Sequence, residues 1–543
     1  MTGGASLKVY NRLRIMSALN AAYETWSKED LIARLRHLDE QQLKHRSKSK
    51  PHEWHIKKHT DSFNFAAHPK RKIALKFCYQ GQHYSGMEFQ PVPTQLPTVE
   101  GTLFSALAYA RLIDPDGGLE GCGWERCGRT DKGVSAAQQV VSLWVRSAIG
   151  EKNVVVDVDE NADAGPSSII LSSPDDADDS SGLEGDFGSF GDWDEPPTDN
   201  SRAPPTEEPI ELRYVSTLNN ILPPTIRIIA WSPVSSDFSS RFHCRHRHYK
   251  YFFTADGLDI SAMQDAASRL VGEHDFRNMC KMDPRKQLTH FIRKIKSATV
   301  SPVKEGISPS TNMYVFDLIG TAFLYNQVRH IMALLFLVGS RLEDPSIINT
   351  LMNCDPNNPL TPFRPDEPIP PIVLTKPDYQ MADPLPLVLW DCAYEDGQLN
   401  WQVEPEDSDK DGLSQRDFSA KLYDTMHSIY GRSLIQTTLD SHFLNITSKF
   451  HTPSPKYLPI GAPDSVPIPP GGSFGFPLGG ATYKRGAKYV PVLEKKRLAS
   501  AEEVNERWRV GRGRKQWAKR VEKQAQYSTS TANAPAEGVV VDE

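Results

Sequence analysis

Cys127-Gly128-Arg129-Thr130-Asp131-Lys132-Gly133-Val134-Ser135-Ala136 sets a single carboxylate in a polar turn bracketed by glycines, just ahead of the apolar run Gln139 to Val145. A turn followed by a strand is the expected local structure, because glycine accepts tight backbone and the branched residues that follow suit a sheet. Arg129 and Lys132 stand close enough in sequence to keep Asp131 ionised, and the glycines let backbone approach a ligand. Taken alone, a Gly-Arg-Thr-Asp-Lys-Gly turn is more often only a turn.

Outward from this stretch the chain alternates between strand and helix patterns. Ile73 to Phe77 reads as a strand ending at the turn-prone Tyr79-Gln80-Gly81, and Thr98 to Leu112 reads as an amphipathic helix. The segment 151–210 then loses all periodicity and holds 17 Asp and Glu against two Lys and Arg, which reads as a disordered acidic insert. Regular patterning resumes over Leu212 to Ala230. Beyond it, Tyr249 to Phe253 and Tyr314 to Ile319 have strand character, Ile260 to Leu270 has helical spacing, Phe323 to Val338 has the character of a buried helix, and Leu385 to Trp390 reads as a closing strand. The fold class is therefore α+β, interrupted by the insert.

The 543 residues suggest two or three folded units at ~100–200 residues per domain. At the amino end, Ser27 to Asp30 forms a capping box before Leu31, Ile32, Leu35 and Leu38, and basic residues from Lys44 to Lys58 follow, giving a helical and basic extension over 1–66. Residues 397–480 read as a polar, Pro/Gly-rich extension, and 481–543 as a basic tail suited to RNA contact, to nuclear address or to plain solvation. The net charge of −6 conceals a body with nine excess positive charges once the acidic insert is set aside, which is compatible with a nucleic-acid partner. Ile331 to Val338 is the longest apolar run and is far too short to span a bilayer, so no membrane association is expected.

Two features add weight to Asp131. Arg329 lies inside the most apolar helical stretch, and a buried arginine needs a carboxylate unless it snorkels to the surface. In His248-Tyr249-Lys250-Tyr251, alternation sends both tyrosines to one face, where they can stack on a base or fill the core, after a basic approach of Arg241, Arg245, Arg247 and Lys250. The seven cysteines are scattered with no CxxC pair, as in a reduced intracellular chain. His243, Cys244, His246 and His248 crowd together, but their spacing fits no common zinc pattern and Arg245 and Arg247 lie among them, so no metal is expected.

Together these segments resemble the TruA-type pseudouridine synthases. The stretch around Asp131 is similar to the family's Gly-Arg-Thr-Asp-x-Gly-Val signature. Tyr79-Gln80-Gly81-x-x-Tyr84-x-Gly86, Leu218-Asn219-x-x-Leu222-Pro223, Ser240-Arg241-Phe242, Gly272-Glu273-His274-Asp275-Phe276 and Phe323 to Arg329 follow in the family's order, with Gln80 departing from the more usual Asp. The resemblance covers about residues 70 to 395 without the insert. His274 to Asp283 and Lys376 to Met381 are further similar to the eukaryotic branch acting on positions 38 and 39 of tRNA.

The resemblance implies a mixed, mostly antiparallel sheet in two α/β halves, 67–232 and 233–396, flanked by helices with a central basic cleft. It implies Asp131 as the nucleophilic carboxylate, Arg329 as its cationic partner, Tyr249 as the aromatic against the target base, and Arg129 as a further nucleotide contact. Arg241, Arg245, Arg247 and Lys250 become phosphate contacts to tRNA. No cofactor is required, since the product is an isomer, and a homodimer is compatible with the family. A non-catalytic tRNA-binding protein of the same fold, and a synthase with other tRNA targets, are the competing readings. Nucleus and cytoplasm are the expected compartments, with mitochondria a third because Lys8, Arg12 and Arg14 occur without an acid before Tyr23.

Overall fold

Strand β1, Lys70–Tyr79, buries Ile73, Ala74, Leu75 and Phe77 because it is flanked on both edges, by β3 (Ser135–Arg146) and by β4 (Ile226–Pro233), both antiparallel to it. The computed structural model describes residues 63–149, 210–303, 312–403, 413–451, 474–486 and 489–522, and from Asn64 onward these belong to one compact unit. The expected helix of 27–42 and the acidic insert, apart from Ile210, lie outside the described residues.

Among the described residues nine strands make one sheet. β2 (Glu125–Arg126) pairs with β3, and the remaining strands are β5 (His246–Thr254), β6 (Gly272–Asp275), β7 (Ile292–Pro302), β8 (Met313–Gly320) and β9 (Leu387–Ala393). Across the sheet the order is β4-β1-β3-β9-β5-β8-β7-β6. Every pair is antiparallel except β3 with β9, which run parallel through Ser135 opposite Val388 and Ala136 opposite Leu389. This is the mixed, mostly antiparallel sheet that the family resemblance implied.

Helix α1 (Val99–Tyr109) starts where Thr98 accepts a hydrogen bond from the Gly101 amide at 3.2 Å, a side-chain N-cap. Its Glu100 is fully buried and fully engaged, accepting from the Phe89 amide at 2.7 Å, from Trp124 Nε1 at 2.8 Å and from Arg126. Helix α2 (Tyr214–Ile221) leads into β4, and α3 (Ile260–Ser268) packs on α4 (Gln327–Gly339). All 13 residues of α4 are buried, as its all-round apolar sequence demands, and Phe336 meets Tyr251 and Phe253 of the sheet at 6.0 and 5.7 Å. The expected helix of Phe323 to Val338 begins four residues late, because Asn326 is left-handed (φ 58°) and turns the chain before the first helical residue.

The carboxyl-terminal extensions hold more structure than their composition suggests. After the short α5 (Ile347–Met352), helix α6 (Leu413–Ser448) occupies the region read as polar and Pro/Gly-rich. A hairpin of β10 (Phe474–Gly479) and β11 (Thr482–Gly486) docks on the sheet, with Tyr251 Oη donating to the carbonyls of Asp383 and Leu478 at 2.9 and 3.2 Å. Part of the basic tail is likewise docked rather than solvated. Helix α7 (Ala501–Val510) is capped by Ser500, and its buried Asn505 donates to the Leu288 carbonyl at 3.1 Å. Among the described residues no helix is long and apolar enough to cross a membrane.

Candidate active site

The turn 127–134 is pinned from both sides. The Cys127 amide donates to the Val140 carbonyl and Gln139 Nε2 to the Gly128 carbonyl, each at 2.9 Å, so the turn is tied back onto β3. Beneath it lies the segment after β1. Tyr79 and Thr130 share a hydroxyl hydrogen bond of 2.6 Å, the Met87 amide donates to the Thr130 carbonyl at 3.3 Å, and the Gly81 amide donates to Ser135 Oγ at 3.0 Å. A Cβ on Gly81 would be driven into the Val134 carbonyl, which is why only glycine fits there. The Tyr-x-Gly stretch is therefore the floor on which the Asp131 loop rests.

Asp131 is largely buried, and burial raises its pKa above the ordinary aspartate value. Four groups oppose that rise. Arg329 Nη1 stands 4.0 Å from Asp131 Oδ2, Asn326 Nδ2 donates to the same oxygen, and the charges of Lys281 and Lys286 act from further away. Arg329, 9 % exposed, is oriented by donating from Nε to the Ala382 carbonyl at 2.8 Å, which leaves its outer nitrogens toward Asp131. Arg129 plays a different part from the one its sequence position suggests. Its guanidinium pairs with Glu88 at 2.6 Å, as does that of Arg126 at 3.2 Å, so Arg129 does not supply the charge on Asp131.

Tyr249 on β5 is buried and lies edge-on to Phe323, ring centroids 5.0 Å apart. It lines the same cavity as Asp131, Arg329 and Arg129, a concavity of about 1010 Å³ walled by ten Lys and Arg side chains against the carboxylates of Glu88, Asp131 and Asp283. Arg241 and Arg247 also line it. Arg247 is committed to the chain itself, donating to the carbonyls of Thr321, Cys127 and Arg241 at 2.8, 2.9 and 3.0 Å. Arg245 and Lys250 lie off the cavity wall, Arg245 in an exposed pair with Glu395 and Lys250 with its ammonium 4.1 Å from the centre of the Trp390 ring. Behind the loop, the scattered cysteines are partly gathered, with the buried thiols of Cys127, Cys244 and Cys392 close enough to affect one another's ionisation.

Four contributors had no signal at the level of sequence period. Asn326, 7 % exposed, reaches Asp131 because its backbone is left-handed, a conformation asparagine tolerates better than most residues. Glu88 and Lys281 come from loops and Lys286 from the single 3-10 turn Pro284–Lys286, where spacing carries no information about direction. Asn326 was legible only as an unexplained polar residue at the head of an apolar helix.

The chain is similar to known proteins over much of its length. Residues 266–395 match the family model described as tRNA pseudouridine synthase. Over 412 residues the chain is 36% identical to the Saccharomyces cerevisiae tRNA pseudouridine(38/39) synthase, covering 73% of this chain and 76% of that one. Over 396 residues it is 35% identical to the Homo sapiens tRNA pseudouridine(38/39) synthase, covering 70% and 68% respectively. The Methanosarcina mazei tRNA pseudouridine synthase A is 26% identical over 284 residues, 52% of this chain and 77% of that protein.

Proposed function

The chain belongs to the tRNA pseudouridine synthases, and from that premise we propose that it isomerises uridine to pseudouridine at positions 38 and 39 of tRNA with Asp131 as the attacking carboxylate. The observation that carries the residue assignment is the convergence on one cavity of a partly buried carboxylate, an asparagine amide and an arginine directed at it, and a buried tyrosine beside them.

The chemistry asks for such a set. Attack by the carboxylate on the nucleoside is followed by cleavage of the N1–C1′ bond, rotation of the retained base, formation of the C5–C1′ bond with release of the carboxylate, and loss of the C5 proton to solvent while N1 takes one up, so the product is an isomer and the atoms balance without a cofactor. Arg329 and Asn326 hold Asp131 ionised against the cost of burial. The nucleotide is flipped from its stack into the cavity, where Tyr249 replaces part of the lost stacking. Arg129 and Arg241 serve the phosphates from the rim, while Arg247 holds the Asp131 loop in place through Cys127. The cavity is the basic cleft of a fold in two halves, β4-β1-β3 and β9-β5-β8-β7-β6, and the excess of cations on its wall supports RNA as the occupant.

The test is pseudouridine mapping on unmodified tRNA carrying U38 and U39, with wild type and Asp131→Ala. Modification at those positions by wild type alone, with tRNA binding retained in the variant, is expected. Binding by wild type with every uridine unchanged would mean that the fold carries tRNA without the chemistry.

A further inference from the structure

Tyr325 is left 42% exposed in the cavity wall, although its neighbours Leu324 and Asn326 are buried. Nothing in the chemistry above uses it. The backbone fixes it firmly, since its carbonyl accepts from the Lys281 amide at 2.9 Å and Asn326, the next residue, is hydrogen-bonded to Asp131. Two ammonium groups lie near the ring, Lys281 Nζ at 5.7 Å and Lys286 Nζ at 5.9 Å from its centroid, and the same two lysines act on the charge of Asp131. A half-exposed aromatic ring on the cavity wall, with two cations over it and a carboxylate hydrogen-bonded to the next residue, has the composition of a nucleotide-binding platform.

We propose that Tyr325 stacks on the base of a nucleotide adjoining the target uridine, with Lys281 and Lys286 taking the phosphates on either side of it. The inference rests on the reading that the cavity receives tRNA, and adds a second aromatic contact to Tyr249. Tyr249, buried against Phe323, serves the base that is rearranged, whereas Tyr325, exposed, serves one that is not. Flipping a nucleotide out of a stem-loop leaves its neighbours without their stacking partner, and a ring beside the pocket mouth restores one such contact. The binding energy is then present before and during the reaction alike, so its loss appears in KM and not in kcat.

The test compares wild type with Tyr325→Phe, Tyr325→Leu and Tyr325→Ala on an anticodon stem-loop RNA, reading kcat and KM separately. In parallel, wild type is photo-crosslinked to two such RNAs bearing 5-iodouridine one nucleotide to the 5′ or the 3′ side of the target. KM is expected to rise about 5- to 150-fold in Tyr325→Ala, the range for loss of one base–aromatic stack, and by a similar factor in Tyr325→Leu, which retains bulk without the ring. Tyr325→Phe is expected to keep the wild-type KM, all three variants to keep kcat within about twofold, and one of the two RNAs to crosslink at Tyr325. An unchanged KM in Tyr325→Ala, a fall in kcat at constant KM, or adducts from both RNAs mapping only elsewhere would each overturn the proposal. If wild type crosslinks through Tyr325 but converts no uridine, the stacking site stands and the catalytic reading fails.

Discussion

Replacing Asn326 isolates the hydrogen bond to Asp131 from the backbone that delivers it. Asn326 occupies φ 58°, ψ 12°, so Asn326→Gly keeps the conformation at no steric cost, whereas Asn326→Ala bears ~1–2 kcal/mol of left-handed strain. Both lose the amide that donates to Asp131 Oδ2. The other amide atom, Oδ1, is buried without a partner among the described residues, so its removal leaves no orphan behind. A hydrogen bond to a charged group contributes about 1.5–3 kcal/mol, and if it supports the reacting carboxylate its loss lowers kcat/KM by ~10- to 150-fold in both variants. The pH profile supplies an independent sign. Burial raises the Asp131 pKa and the Asn326 amide lowers it, so deleting the amide moves the pKa further up. Since the carboxylate form is the reactive one, the acid limb of kcat/KM shifts to higher pH, and activity is lost earlier as pH falls. In thermal unfolding both variants are expected below wild type by the lost hydrogen bond, with Asn326→Ala lower than Asn326→Gly by its left-handed strain. An acid limb that stays put or moves down, or an alanine variant far less active than the glycine one, would refute the reasoning, because either result makes backbone geometry the operative factor.

Arg329→Met removes the nearest cation from Asp131 and the donor to the Ala382 carbonyl, so kcat should fall steeply and the acid limb move up in the same direction as for Asn326→Gly. Arg269→Met tests the scaffold away from the site: Arg269, 2% exposed, pairs with the half-buried carboxylates of Glu367 and of Asp265 at 3.2 Å, and since Asp265 keeps Arg364, losing these charged hydrogen bonds should cost about 1.5–3 kcal/mol in urea unfolding with little change in KM. Gly81→Ala drives a methyl group into the Val134 carbonyl, and kcat should fall together with thermal stability as the Asp131 loop is displaced; an active, stable variant would show that the floor of the loop yields without consequence.

The elements that sequence periodicity made legible are those whose burial is regular. β1 and β3 lie inside the sheet and read as apolar runs, and α1 announces itself by its cap at Thr98. β7 escaped because a bulge between Ile295 and Ser297 breaks the alternation: Ile295, Ala298 and Val300 face the core, which no period of two would select. α6 escaped for the opposite reason, since Tyr423, Leu434, Ile435, Phe443 and Leu444 are all exposed and no apolar stripe marks a buried face. In the site, Asp131, Tyr249 and Arg329 were legible only through the order of short motifs, as nothing local links residues so far apart. Asn326 carried no such mark, because its contribution depends on a single left-handed torsion.

The parallel pair in an otherwise antiparallel sheet accounts for the meeting of those distant residues. Parallel strands place the segments that precede them at the same end of the sheet. Ahead of β3 comes the Asp131 loop, and ahead of β9 comes the segment carrying Ala382, whose carbonyl orients Arg329. One pairing of two residues thus delivers both the carboxylate and the support of its cation to one edge of one cavity. β5 completes the set by register: Tyr249 is opposite Leu389, which is itself opposite Ala136. An antiparallel β3–β9 pair would carry the Ala382 segment to the far end of the sheet, some strand's length away. The single parallel contact is therefore a requirement of the site, and substitutions at Ser135, Ala136, Val388 or Leu389 that weaken it act on Asp131 and Arg329 together.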